Sequence, residues 1–222
     1  MTIGSTRSAP NGAAAIAALG SGADELGQVL ELLRLGGDET PGRLRVAVGD
    51  RRLLELHREL TGRDVEVVAE CGGCGEVNVA ALSADVLPAP CERVAWLGGG
   101  GLREPTYDDL HGLPPDEEAA EAELLRRCTV GEPARAAVAD DLERIDDSLT
   151  GPILLACVEC GTGLEVAVDV ERAVLERLQR HAAEVEVEVH LLARAYGWSL
   201  AAIERLPDER RRRLAGLVAD GR

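Results

Sequence analysis

Four cysteines carry the clearest chemistry in this chain: Cys71 and Cys74 in Cys-Gly-Gly-Cys-Gly, and Cys157 and Cys160 in Cys-Val-Glu-Cys-Gly. A CxxC followed by glycine turns two thiolates toward one point. A structural zinc ion takes four such soft ligands at about 2.3 Å in a closed tetrahedron. Each knuckle fills half of that shell, so Cys71, Cys74, Cys157 and Cys160 are expected to share one structural zinc. The 82 residues between Cys74 and Cys157 exceed the roughly 15–20 of a compact ribbon, and a long insertion between two hairpins accounts for the gap. Four thiolates leave no position open for water or substrate, which argues against catalysis at the metal. The alternatives are unligated reduced thiols or a redox pair. A redox CxxC sits at the start of a helix after a strand, where the helix N-terminus lowers a thiol pKa, and neither motif has that setting.

The remaining reactive residues form no comparable group. Cys91 and Cys128 have no partner at ligand spacing and read as small apolar residues. His57, His111, His181 and His190 are scattered. Carboxylates such as Asp116, Glu117, Glu118, Asp140 and Asp141 suit helix starts or solvated faces. The run Gly98 to Gly101 lacks the Lys-Ser/Thr of a phosphate loop and reads as a flexible turn.

The elements that position the knuckles follow from the hydrophobic period. Leu26, Val29, Leu30, Leu32 and Leu33 form a helical stripe ending at Gly36-Gly37, and a second helix is predicted from about Asp50 to Leu60, stopped by Gly62. The period then shortens to two on both sides of the first knuckle, in Val65 to Glu70 and Glu76 to Val79. The same strand, knuckle and strand recur from Ile153 to Val168, an internal repeat. Between the copies, helices are predicted at about 116–127 and 133–147. A long helix follows over Val170 to Ala195, then a short one over Leu200 to Arg205 capped by Ser199, then a last one from Pro207 to about Val218. The fold class is α+β: mainly helical, with two strand-CxxCG-strand hairpins joined at one zinc site and a long C-terminal helix plus helical hairpin. Its expected parts are a flexible tail (1–22), a helical and zinc-knuckle region (23–169) with an insertion (85–150), and a C-terminal helical region (170–222).

Composition narrows the partners. A net charge of -16 repels polyanions, disfavouring nucleic acid and anionic membrane surfaces. No segment approaches the ~20 apolar residues of a membrane span and the first 22 residues lack signal-peptide character, so a cytoplasmic protein with reduced thiols is expected. The segment from Leu191 to Leu217 superficially resembles a DNA-reading helix-turn-helix beside Arg210 to Arg213. Its second helix, however, offers Leu, Ala and Ile where base readout needs Asn, Gln, Arg or Lys. A DNA-binding regulator and a thiol redox protein therefore stand as the alternatives to an assembly protein.

The two knuckles occur together with His190-Leu191-Leu192-Ala193, Tyr196-Gly197-Trp198, and Leu206-Pro207 before an Arg run. In this combination the chain resembles the tailed-phage baseplate hub assembly chaperone family, in the zinc-knuckle form found in clusters encoding phage-tail-like contractile injection systems. Arg103 to Thr106 and Leu124 to Cys128 are similar to that longer form, and the likeness extends over roughly residues 23 to 218. The resemblance implies a non-enzymatic role in building a baseplate, as chaperone or minor component, with baseplate or hub proteins as partners and no small-molecule substrate. The chain has only four aromatic residues, two of them at Tyr196 and Trp198. Tyr196, Trp198, Leu200 and Ile203 are accordingly the candidate partner-binding residues. The competing reading is that the two rings pack the short helix onto the long one.

Overall fold

The computed structural model describes residues 19–20, 23–85, 87 and 89–221. The expected tail, 1–22, therefore lies outside the described residues apart from Leu19 and Gly20, and Leu19 packs against the main core. Helix α1, Glu25–Leu35, is capped by Asp24, whose carboxylate accepts from Gly27 N at 2.9 Å. Helix α2, Val46–Thr61, lies against it. The buried Arg52 guanidinium donates to Gly36 O at 2.6 Å, satisfying a carbonyl left over at the end of α1.

Strands β1, Val65–Glu70, and β2, Val77–Leu82, form an antiparallel hairpin around the first knuckle. In the central insertion, β3 (Val94–Trp96), β4 (Gly100–Arg103) and β5 (Thr129–Gly131) form a three-stranded antiparallel sheet in that order. With it come α3 (Tyr107–Leu110), α4 (Glu117–Cys128) and α5 (Ala139–Glu143). Leu102, Leu125, Cys128 and Ile145 give this insertion a small core of its own. Strands β6, Gly151–Ala156, and β7, Gly163–Val168, form the second hairpin.

Helix α6, Val170–Tyr196, is 27 residues long, about 40 Å. Its first half supplies Val170, Val174, Leu175 and Leu178 to the main core, with Val29, Leu32 and Leu33 of α1, Leu53, Leu54 and Leu56 of α2, and Tyr107. Its second half packs against α7, Leu200–Glu204, and α8, Asp208–Ala219, around Leu192, Ile203 and Ala215. Arg211 fastens this end, donating to Glu188 at 2.8 Å and Asp208 at 2.7 Å.

Several expectations from the sequence need correction. Helix α2 begins at Val46, four residues before Asp50, because its first amide donates to Pro105 O at 3.1 Å and a carbonyl from the insertion replaces a side-chain cap. Gly49 sits inside it where a Cβ would come within 2.3 Å of the Tyr107 ring. The helix predicted over 133–147 shrinks to Ala139–Glu143. Pro133 to Val138 instead run along the small sheet, with Ala134 N donating to Leu97 O and Gly98 O and Arg135 paired to Asp141 at 2.6 and 2.7 Å. Gly100 and Gly101, expected in a turn, begin β4.

Where α2, α3 and α6 meet, Asp50, Glu171 and Tyr107 form a buried polar junction. Asp50 Oδ2 accepts from Leu149 N at 2.6 Å, its Oδ1 has no hydrogen-bond partner among the described residues, and the Tyr107 hydroxyl and Glu171 carboxylate act on each other short of good hydrogen-bond geometry. Burial pushes Asp50 up to about 7, against the lowering effect of the Leu149 amide and with Glu171 and Asp146 adding to the rise. Burial also raises Glu171 to about 7. Tyr107 is likewise raised, first by burial and then by the charges of Glu171 and Asp50.

Candidate metal centre

Each knuckle is a tight turn at the tip of a hairpin, and the two turns are built alike. Gly75 N donates to Cys71 O at 2.8 Å and Gly161 N to Cys157 O at 2.9 Å; Cys71 N donates to Glu76 O and Cys157 N to Thr162 O, both at 2.8 Å. Closing such a turn requires a left-handed residue, and Gly75 and Gly161 supply it with φ of 77° and 73°. The inner faces of the hairpins are apolar apart from Asn78, and they meet with Ala69 beside Leu155 and Leu164, burying Cys71 and Cys157 between them. Cys74 and Cys160 face outward.

The four sulfurs lie within 4.8 Å of one another. Cys71 Sγ is 3.6 Å from Cys160 Sγ, and Cys74 Sγ is 3.7 Å from Cys157 Sγ. The first thiol of each knuckle thus faces the second of the other, a pseudo-twofold arrangement matching the internal repeat. Sulfurs about 2.3 Å from a central ion stand about 3.8 Å apart along a tetrahedral edge, whereas a disulfide needs about 2.05 Å. The spacing fits four ligands around one ion. All four cysteines foreseen as ligands are brought together, and among the described residues Cys91 and Cys128 stand apart, the first exposed and the second buried in the insertion's core.

Sequence reasoning missed Asn78. Its side chain leaves the first hairpin for the second knuckle, where Oδ1 accepts from Val158 N at 2.9 Å and Nδ2 donates to Cys157 Sγ at 3.6 Å. Such an outer bond orients a thiolate ligand and offsets part of its charge. The signal was available: Asn78 is a single polar residue in the inward phase of an alternating strand. Leu164 occupies the matching position of the second copy and only packs.

Electrostatics show what the cluster lacks by itself. The Glu76 amide would lower the Cys74 thiol, yet Cys160, burial, Cys157 and Cys71 together push it up to about 12. Thr162, through hydroxyl and amide, draws Cys160 down to about 6, and the Cys160 amide lowers Cys157. Four thiolates this close repel too strongly to ionise together, and a divalent cation removes that obstacle while releasing protons.

Compared with protein-family models, curated proteins and solved structures, this chain has no match. The centre must be read from its own geometry.

The other predicted site divides. Tyr196, Trp198 and Leu200 are exposed, and the two rings stack on each other with centroids 4.9 Å apart at 25°. Ile203 is fully buried between α6 and α8, so it presents no surface and belongs to the small terminal core. Leu192, Ile203 and Ala215 form the buried contact that packs α7 onto α6. No described helix is long and apolar enough to cross a membrane.

Proposed function

We propose that the protein is a cytoplasmic, non-enzymatic assembly chaperone or minor component of the baseplate of a phage-tail-like contractile injection system, built around one zinc ion held by four cysteines. The observation that carries the metal is the convergence of four thiols from two distant knuckles at tetrahedral spacing. An all-thiolate tetrahedral set selects zinc or iron, and zinc suits a site with no open position and no redox task. The baseplate role rests on the resemblance of the two knuckles and terminal hairpin to that family. Elemental analysis of freshly purified reduced protein is expected to give one zinc per chain; two metals, one iron or no metal would each overturn the assignment.

Exposed rings at the end of a long helix support partner binding there, since Trp and Tyr anchor many interfaces. Trp198 is 38% exposed and stacks on Tyr196. Trp198→Ala should therefore cost the isolated protein no more than ~1.5 kcal/mol, the scale of one aromatic pair, and not the ~3–5 of a buried ring. Co-purification with baseplate or hub proteins should be lost. A large drop in melting temperature, or undiminished co-purification, would contradict this surface. Arg211, within the run that resembles a DNA contact, is buried against Glu188 and Asp208. That arrangement and the net charge weigh against the DNA-binding alternative.

A further inference from the structure

Three of the four hairpin strands have their edges covered or blunted. β1 lies beside β7, and its Glu66 carbonyl accepts from Arg177 on α6. β6 carries Pro152, which has no amide to offer an incoming strand. β2 has none of these protections: it reads Val-Asn-Val-Ala-Ala-Leu, without proline or charge, and its sole strand partner among the described residues is β1. An uncharged free edge of this kind is a template for another strand.

The outer face beside that edge is also unusual. Val68 and Val79 stand directly opposite each other and Val77 opposite Glu70. The three valines, Val68, Val79 and Val77, are 61%, 58% and 56% exposed. Carboxylates of Glu66 and Glu70 border them on β1, and Glu76 precedes β2. A strand added to β2 would lie about 10 Å from β1, two strand spacings away. Long basic side chains on its outer face would lay methylene stems over Val77 and Val79 while their charged ends reach the Glu66 and Glu70 carboxylates. A second copy of this chain brings another -16 of charge and no cation along its own β2, so a basic partner fits better.

We propose that β2 is a docking edge for an extended segment of a partner protein carrying Arg or Lys at every second position, which adds to the hairpin as a third strand. The test uses full-length metal-loaded protein and a labelled seven-residue peptide alternating Arg and Thr, at about 150 mM salt so that exposed long-range attraction is screened. Binding by anisotropy should saturate, and amide exchange should slow at residues 77–82. Val79→Lys, and separately the double change Glu66→Arg with Glu70→Arg, should each weaken binding by about tenfold or more, which is about 1.4 kcal/mol. N-methylation of every second peptide amide should abolish binding in one register and spare it in the other, since only one edge of the added strand pairs. Absence of binding would overturn the proposal. Insensitivity to both methylation registers, with protection spread elsewhere, would reduce it to bulk charge attraction. Protection of residues 77–82 without peptide, together with a dimer in sedimentation, would assign the edge to a second copy.

Discussion

Cys160→Ser is expected to be as damaging as Cys157→Ser, with both variants failing to reach a native, cooperatively melting state. The pair separates ligation from packing. Cys157 is buried between the hairpins, so its loss disturbs the contacts of Leu155 and Leu164 whatever the metal does. Cys160 faces solvent, and an exposed side chain with no further task changes stability by no more than ~0.5 kcal/mol. A structural zinc contributes ~10–16 kcal/mol of apparent binding energy, comparable with the ~5–15 kcal/mol that holds a typical domain together. Removing a ligand should therefore outweigh everything else the two hairpins share. Cys91→Ser, also exposed, serves as the silent control. The measurements are circular dichroism melting and metal content for each variant, with a chelator added to the parent protein. A Cys160→Ser variant that melts like the parent would remove the metal from the account of this fold.

The second large effect is a stability that declines as pH rises from about 4 to about 7. Asp50 is held at about 7 in the folded chain against an ordinary 3.8, so the folded state keeps a proton that the unfolded chain gives up. Where the folded state binds more protons, stability falls with rising pH. The window runs from about pH 4 to pH 7, and at about 1.4 kcal/mol per pH unit it amounts to at most ~4 kcal/mol for this group. Glu171 adds a contribution of the same sign, and the two titrate together. Acid also strips metal from thiolates, which works the other way, so the comparison must be made between variants. Asp50→Asn keeps an oxygen for Leu149 N and supplies an amide donor toward the other oxygens of the junction. It should stabilise the protein by a few kcal/mol at pH 8, have little effect near pH 4, and flatten the profile between. Parallel denaturation midpoints for parent and variant across this range would show that Asp50 carries no such proton.

What the sequence makes legible depends on how locally each feature is encoded. The two knuckles and their strands stand out because thiol spacing, the following glycine and the two-residue alternation all lie within a few positions. The long helix and terminal hairpin follow from the stripe through Val174, Leu178 and Leu192 and from the Ser199 cap. The small sheet of the insertion was not legible: β3 and β5 have three residues each, and β4 begins with two glycines, so no alternation exists to read. The start of α2 is likewise decided at a distance, by Pro105 O and the Tyr107 ring. Ile203 and Tyr196 looked equivalent because both are large and apolar near one turn. Only the meeting of α6, α7 and α8 separates the buried one from the exposed one.

The 82 residues between Cys74 and Cys157 also set a timetable. At ~5–20 residues per second of translation, about 4–16 s pass between the emergence of the two knuckles from the ribosome. Throughout that interval the nascent chain displays two thiols with half a coordination shell. The insertion, with its own small core of Leu102, Leu125, Cys128 and Ile145, is made meanwhile. If the four cysteines share one ion as proposed, its capture is reserved for a late stage of synthesis, after Cys160 has emerged. A metal-starved cell would then accumulate chains whose two hairpins stand unclamped, with their apolar faces offered to chaperones and proteases.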